Sequence, residues 1–280
     1  MMDLREGMRL LNMNLQSRIQ LRTGNSMPII GLGTWQLTKD TAEIIEEALA
    51  LGYPMIDTSG DYGTQPGIGQ GIKQSTVERD SFYLISKVEE DDDAYAATRK
   101  NLEELQQNYV DLMLIHRPPR NGAGIQLWKG LIRAQQDGLT KDIGVSNYSI
   151  ELIEDLIGAT GVVPVANQIE WSPFGHSKEM LRYAEKNDIV IQAYSPLTRT
   201  ERLDDSNIQE IAERHEKTPA QIFIRWNLQL GTVPLPKANQ KEHLHEDIDV
   251  FDFELSDEEM TALDALNEHY SCLGRELSYV

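Results

Sequence analysis

The sequence predicts an α/β fold, a (β/α)8 TIM barrel with a short N-terminal β-hairpin capping the barrel bottom, and three observations carry that expectation. Apolar, β-branched-rich runs recur along the chain, and a stretch of helical period follows each of them. The 280 residues, 40% of them hydrophobic, suffice for one large core. Dividing by roughly 150 residues per domain suggests two domains, yet α/β barrels of this length fold as one. The expected organisation is a mobile N-terminal extension over 1–17 and a single barrel domain over 18–280.

The strand candidates are 29–34 (IIGLGT), 53–58 (YPMIDT), 82–88 (FYLISKV), 110–116 (VDLMLIH), 141–146 (KDIGVS), 163–169 (VPVANQI), 188–194 (DIVIQAY) and 232–236 (TVPLP). Near-continuous apolarity suits strands buried on both faces, as in a parallel sheet covered by helices. Helix ends are also readable. Ile44, Ile45, Ala48 and Leu49 form one apolar stripe that Gly52 stops. Thr218-Pro219-Ala220-Gln221 reads as a cap, a first-turn proline and a capping-box glutamine, and Ser256-Asp257-Glu258-Glu259 as a second capping box. Thr23-Gly24-Asn25 marks the turn of the hairpin over 18–28.

Composition excludes several functions. Acidic residues number 45 against 26 basic ones, a formal charge of -19, whereas nucleic-acid binding needs a basic footprint. One cysteine, Cys272, rules out an internal disulfide framework and suits a reducing compartment. No apolar run reaches the ~18 residues of a membrane span, and Asp3, Arg5, Glu6 and Arg9 interrupt any signal-peptide core. A cytoplasmic monomer or weak homo-oligomer is expected.

Barrel enzymes gather their reacting groups at the C-terminal ends of the strands. Those ends hold Asp57, Lys87 and His116, and Tyr62 follows in the loop after Asp57. Each alone is more simply a loop, salt-bridge or core residue. Together they form a coherent set. A nearby ammonium lowers a tyrosine pKa from its ordinary ~10; an aspartate holds that lysine charged; a neutral imidazole orients a carbonyl oxygen. The set makes a proton donor for an oxygen that becomes negative.

At these residues the sequence resembles the aldo-keto reductase family. Met27-Pro28-Ile29-Ile30-Gly31-Leu32-Gly33-Thr34-Trp35, Ile56-Asp57-Thr58-Ser59 with Tyr62-Gly63, Ser86-Lys87, Ile115-His116, Ile143-Gly144-Val145-Ser146-Asn147, Asn167-Gln168-Ile169-Glu170, Ala193-Tyr194-Ser195-Pro196-Leu197 and Pro236-Lys237 occur in the family's order. The small size and short tail are most similar to the bacterial 2,5-diketo-D-gluconate reductase-type branch. The resemblance implies reduction of an aldehyde, ketone or dicarbonyl by NADPH, with NADH as a second candidate and Tyr62 as general acid. It implies a cofactor extended across the barrel mouth and contacted by Gly33, Thr34, Trp35, Asp57, Ser146, Asn147, Gln168, Tyr194, Ser195 and Leu197. Lys237, Ala238, His243, Glu246 and Asp247 would meet its adenosine end. The small carbonyl substrate would touch Trp35, Tyr62, Glu89, His116 and Arg117, with Trp171 as a further candidate.

Two departures from the family pattern bear on specificity. Ala238 and His243 stand where relatives usually carry serine and arginine. Histidine is mostly neutral at pH 7, which predicts weaker discrimination for a 2′-phosphate. Glu89 and Arg117 stand where relatives often carry tryptophan. Arg117 either attracts an acidic substrate group or pairs with Glu89 or Glu90.

Other signals are set aside. Gly67-Ile68-Gly69-Gln70-Gly71 lacks dinucleotide-loop spacing and is read as close helix packing. Tyr183 and Lys186 are expected on a solvent-facing helix. His243 and His245 share no helix face and have no third partner, so no metal site is expected. The acidic run over 89–93 is read as a solvated helix entrance.

Overall fold

A computed structural model describes residues 13–279, so residues 1–12 of the expected extension lie outside the described residues. Residues 13–17 lie against the barrel, with Gln16 donating to the Gly52 carbonyl at 3.0 Å. Two short antiparallel strands follow, β1 (Arg18–Gln20) and β2 (Ser26–Pro28). Their turn carries Gly24 at φ 92°, a conformation that favours glycine. Thr23 and Asn25 of this turn donate to the two carboxylate oxygens of Asp142, near the N-terminal end of a barrel strand. The hairpin therefore sits on the barrel bottom, away from the strand ends where chemistry is expected.

Eight parallel strands follow in chain order: β3 (Leu32–Gly33), β4 (Met55–Asp57), β5 (Tyr83–Val88), β6 (Val110–Ile115), β7 (Thr140–Ser146), β8 (Ala166–Glu170), β9 (Val190–Tyr194) and β10 (Val233–Leu235). Each of the expected runs overlaps one of them. The shorter extents have local causes. Pro164 has no N–H to give a ladder, and Asp188 turns left-handed at φ 52°, so β8 and β9 start later than expected. The seam between β10 and β3 closes through Gly31 N–H to Pro234 O and Gly33 N–H to Pro236 O. Glycine is required there: a Cβ on Gly33 would lie 2.8 Å from the Leu235 carbonyl oxygen.

The apolar runs are explained by two cores. Along β6, Leu112 and Leu114 point into the barrel with Met55, Ile85 and Val233. Met113 and Ile115 point outward, under the helices. Alternation persists, but both faces are apolar. Each such side chain, fully buried, contributes about 1.5–3 kcal/mol.

Helices α1 (Thr41–Ala50) to α6 (Lys178–Lys186) alternate with the strands, and α1 buries the four residues of its predicted stripe. Two helices, α7 (Ser206–His215) and α8 (Pro219–Leu230), follow β9; α9 (Lys241–Ile248) and α10 (Asp257–Asp264) follow β10. Both predicted capping boxes form, at Thr218 and Ser256. In α2 (Gln65–Gln74), a Cβ on Gly69 would lie 2.6 Å from Leu105 O, and one on Gly71 2.6 Å from Ala42 O. These glycines let α2 lie close to its neighbours.

Candidate active site

The strand ends open into a cleft of about 800 Å³. Asp57 ends β4, Lys87 is next to last in β5, and His116 follows β6, so the parallel strands bring all three to the same end of the barrel. Lys87 is fully buried beneath the cleft floor. Its Nζ donates to both Asp57 oxygens at 2.9 Å and to Thr58 O at 2.7 Å. Gln168 adds a donor to Asp57 at 2.8 Å. The Tyr62 hydroxyl lies 3.5 Å from Nζ, and the ammonium is 4.9 Å from the centre of the Tyr62 ring. His116 meets that ring edge-on at 5.6 Å.

A hydroxyl chain holds the loop that carries Tyr62. Thr64 Oγ1 lies 3.0 Å from Thr58 Oγ1 and 3.4 Å from Thr34 Oγ1. Behind β5, Asn101 donates to Lys87 O at 2.7 Å, and Ser86 donates to Gln65 Oε1 at 2.7 Å. Gln65 and Asn101 carry no motif signal in the sequence, because their role is to fill hydrogen bonds that exist only once α2, α3 (Ala94–Leu105) and β5 have docked.

The electrostatics correct one expectation. The Tyr62 phenol is raised well above its ordinary pKa, first by burial and then by Asp57, Asp61 and Glu89, with Arg117 opposing. Burial and the three carboxylates outweigh the Lys87 ammonium, which is shared with both Asp57 oxygens. Tyr62 therefore keeps its proton at neutral pH, as a proton donor must.

On the other wall, Ser146 Oγ donates to Gln168 O at 2.7 Å, and the Tyr194 hydroxyl donates to Asn147 Oδ1 at 2.7 Å. Asn147 has φ 64°, and after β9 Ser195, Thr198, Arg199 and Thr200 also have positive φ. Such backbone costs about 1–3 kcal/mol per residue and concentrates where a chain is shaped around a ligand. Gly33, Thr34, Trp35, Ser195, Leu197, Lys237 and His243 complete the expected lining. Arg199, Asn239, Gln240 and Leu273 also line it, and no sequence signal marks them. The Arg199 guanidinium lies 4.3 Å from the Trp35 ring centre.

Three expected cofactor contacts fall outside this lining. Ala238 is fully buried and Asp247 is 3% exposed, on the inward face of α9 with Leu244. Glu246 faces α8, accepting from Thr218 Oγ1 at 2.5 Å. Trp171 is also not a pocket residue: it is fully buried and stacked under Tyr279. That stacking helps anchor the C-terminal tail, along with the bonds from Ser271 Oγ and Cys272 N–H to Glu170 at 2.7 Å each. The anchored tail places Leu273 and Arg275 at the cleft.

Arg117 is paired, not free. Its Nη2 lies 2.8 Å from Asp61 and 2.7 Å from Glu89, and its Nε 3.3 Å from Glu90. The acidic run over 89–93 is thus only partly a solvated entrance: Asp93 caps α3, whereas Glu89 turns into the site. Donor atoms of Asp61, Glu89 and His116 come within 4.8 Å of one another, but Arg117 already supplies the cation there.

The family model described as "Aldo/keto reductase family" matches residues 29–268. The chain belongs to the aldo/keto reductase family. It is an NAD(P)H-dependent oxidoreductase that reduces carbonyl compounds. The reductase is 38% identical over 261 residues to a glyoxal reductase of Bacillus subtilis, covering 91% of this chain and 94% of that one. It is 39% identical over 254 residues to an aldo-keto reductase of Mycolicibacterium vanbaalenii, covering 89% and 91%. Among solved structures, an aldo/keto reductase from Brucella melitensis superposes with TM-score 0.84 at 36% identity, covering 90% of this chain and 99% of that chain. A Bombyx mori aldo-keto reductase in complex with NADP gives TM-score 0.87 at 30% identity, covering 92% and 94%.

The cleft of this reductase fits an extended dinucleotide. Arg199 and Lys237 line it, and neither forms an ion pair among the described residues, in a chain of formal charge -19. Burial first, and Arg199 second, lower the Lys237 pKa, which is the state of cations placed together to receive an anion. Gly33 leaves the backbone at the mouth uncovered.

Proposed function

We propose that this reductase converts small aldehydes, ketones or dicarbonyls to alcohols, with Tyr62 as the proton donor and Asp57, Lys87 and His116 supporting it. One observation carries the assignment: Tyr62 is the cleft-lining hydroxyl that faces the buried Lys87–Asp57 pair on one side and His116 on the other. When bound, the nicotinamide cofactor supplies hydride to the carbonyl carbon. The carbonyl oxygen then takes the Tyr62 proton, and Lys87 stabilises the phenolate that remains. Asp57 keeps Lys87 charged and fixed. The glyoxal reductase relative supports a dicarbonyl among the substrates, and so does the resemblance to the diketogluconate-reductase-type branch. Tyr62→Phe is expected to cut kcat by about 10²–10⁴ while the cofactor Kd changes little. Retained turnover would assign the proton to another group.

For the cofactor, the NADP-bound relative and the paired cations Arg199 and Lys237 support NADPH. Lys241 adds nothing at the cleft, since it is bound to Glu47 at 2.5 Å. His243 lies in the lining where an arginine would fork onto a phosphate, so NADH is used as well. The ratio of kcat/KM for the two cofactors tests this. It is expected below about a thousandfold, which is roughly 4 kcal/mol, and a larger NADPH preference removes NADH from the proposal.

A further inference from the structure

Tyr62 lies in the loop between β4 and α2, and the middle of that loop has few bonds of its own. At its start, Thr58 N–H donates to Ile85 O at 3.0 Å and Gly60 N–H to Lys87 O at 3.3 Å. At its end, the Thr64 hydroxyl lies 3.0 Å from that of Thr58. Between them, among the described residues, Asp61, Tyr62 and Gly63 make one backbone bond, from Tyr62 N–H to Ser59 O at 3.3 Å. Gly63 is exposed and left-handed at φ 67°. The Tyr62 hydroxyl lies 3.5 Å from Lys87 Nζ, at the outer limit of a hydrogen bond. So long a contact does not place the phenol by itself.

The middle of the loop is held instead by a side chain. Arg117 Nη2 donates to Asp61 Oδ2, next to Tyr62 in the chain, at 2.8 Å. The same nitrogen donates to Glu89 Oε2 at 2.7 Å, and Nε lies 3.3 Å from Glu90. His116 Nδ1 is 3.4 Å from Asp61 but turns to Glu89 at 2.9 Å. Asp61 follows β4, Glu89 and Glu90 follow β5, and Arg117 follows β6, so one guanidinium joins the loops of three neighbouring strands. A single half-exposed ion pair contributes little. Here a planar fork meets three carboxylates at once and fixes direction as well as distance. Without it the three carboxylates repel one another, and Asp61 sits on the loop with the fewest bonds to resist.

We propose that Arg117 is a positioning residue: through Asp61 it clamps the loop that carries Tyr62 and sets the phenol between Lys87 and His116. The inference rests on the carbonyl-reduction reading above, which makes Tyr62 the proton donor. Arg117 transfers no proton and touches no reacting atom in this role. It acts by keeping the phenol aimed at the carbonyl oxygen, and a misplacement of about 1 Å in such a group can cost 10²-fold in rate.

The test compares Arg117→Met, Asp61→Asn and the double variant. Each is expected to lower kcat for a neutral carbonyl by about 10², with KM and the cofactor Kd little changed, and the double variant should lose no more than either single one. Charge and position are separable, because Asp61 raises the Tyr62 pKa whereas Arg117 lowers it. The two substitutions therefore push the phenol in opposite directions by charge but free the loop in the same way. If kcat of Arg117→Met stays within about twofold of the wild type while KM for an acidic carbonyl rises, Arg117 reads the substrate and the clamp is wrong. Unchanged kcat in Asp61→Asn, or losses that multiply in the double variant, overturn it too. A second readout does not need turnover: ¹⁹F NMR of 3-fluorotyrosine placed at position 62 in the cofactor-free protein. Its resonance should shift or broaden alike in Arg117→Met and Asp61→Asn, and a resonance unmoved in both overturns the proposal. A wild type that reduces no carbonyl while this resonance responds as expected overturns the reduction reading and leaves the clamp standing.

Discussion

At the scale of single residues, the site depends on one buried charge pair. Lys87 is fully buried, and its partner Asp57 is 4% exposed. Removing one member of such a pair strands the other and costs about 3–5 kcal/mol, whereas the pair itself contributes little net stability. Lys87→Met should therefore lower the unfolding free energy measured in urea by that amount as well as slowing turnover. Gln168 would remain as the donor to Asp57, too little to satisfy the carboxylate alone. A loss below about 1 kcal/mol would show that water or a rotated side chain replaces the ammonium. The pair is thus maintained by the surrounding packing and is not one of the sources of the fold.

At the scale of elements, the C-terminal tail decides what reaches Tyr62. The tail is held by Glu170, at the end of β8, and by the stacking of Tyr279 on Trp171. It carries Arg275 to within 3.4 Å of the Tyr194 hydroxyl at the cleft. Arg117, the arginine that the sequence nominates as an anion reader, already shares three carboxylates. Arg275 lines the cleft and forms no ion pair among the described residues, so its guanidinium is open to an acidic group on a substrate. We predict that Arg275→Ala raises KM for an acidic carbonyl about tenfold, a loss of ~1.4 kcal/mol, and leaves KM for a neutral one within about twofold. Equal effects on the two substrates would falsify that role. The tail is half-exposed, so the substitution should leave the thermal midpoint near that of the wild type.

At the scale of the whole molecule, pH acts through a group far from the chemistry. Asp247 is buried in α9, one of its oxygens has no hydrogen-bond partner among the described residues, and burial, then Glu246, push its carboxyl up to about 8. In the unfolded chain the same group titrates near ~3.9. Between about pH 4 and pH 8 the folded state holds a proton that the unfolded state has released, so stability falls as pH rises across that window and levels above it. The limiting slope is about 1.4 kcal/mol per pH unit. Asp247→Asn removes this dependence. Its urea midpoint should exceed that of the wild type by a margin that widens from pH 5 to pH 8. A constant margin would mean that Asp247 is ionised throughout.

Much of this protein was legible in the sequence because the relevant physics is local or periodic. Parallel strands buried on both faces must read as apolar runs, so all eight barrel strands could be placed, and capping boxes announce helix starts at Thr218 and Ser256. A barrel sends the ends of its strands to one mouth, so Asp57, Tyr62, Lys87 and His116 could be grouped before any coordinate was known. Packing decided the rest. Helix phase turned Asp247 and Glu246 of α9 away from the cleft, and the stacked tail buried Trp171 and exposed Arg275. Above all, Glu89 comes to lie 2.9 Å from His116 Nδ1 across 27 residues of chain. Residue type is written in the sequence, but protonation depends on which charges lie within a few ångströms, and only the tertiary structure brings them there.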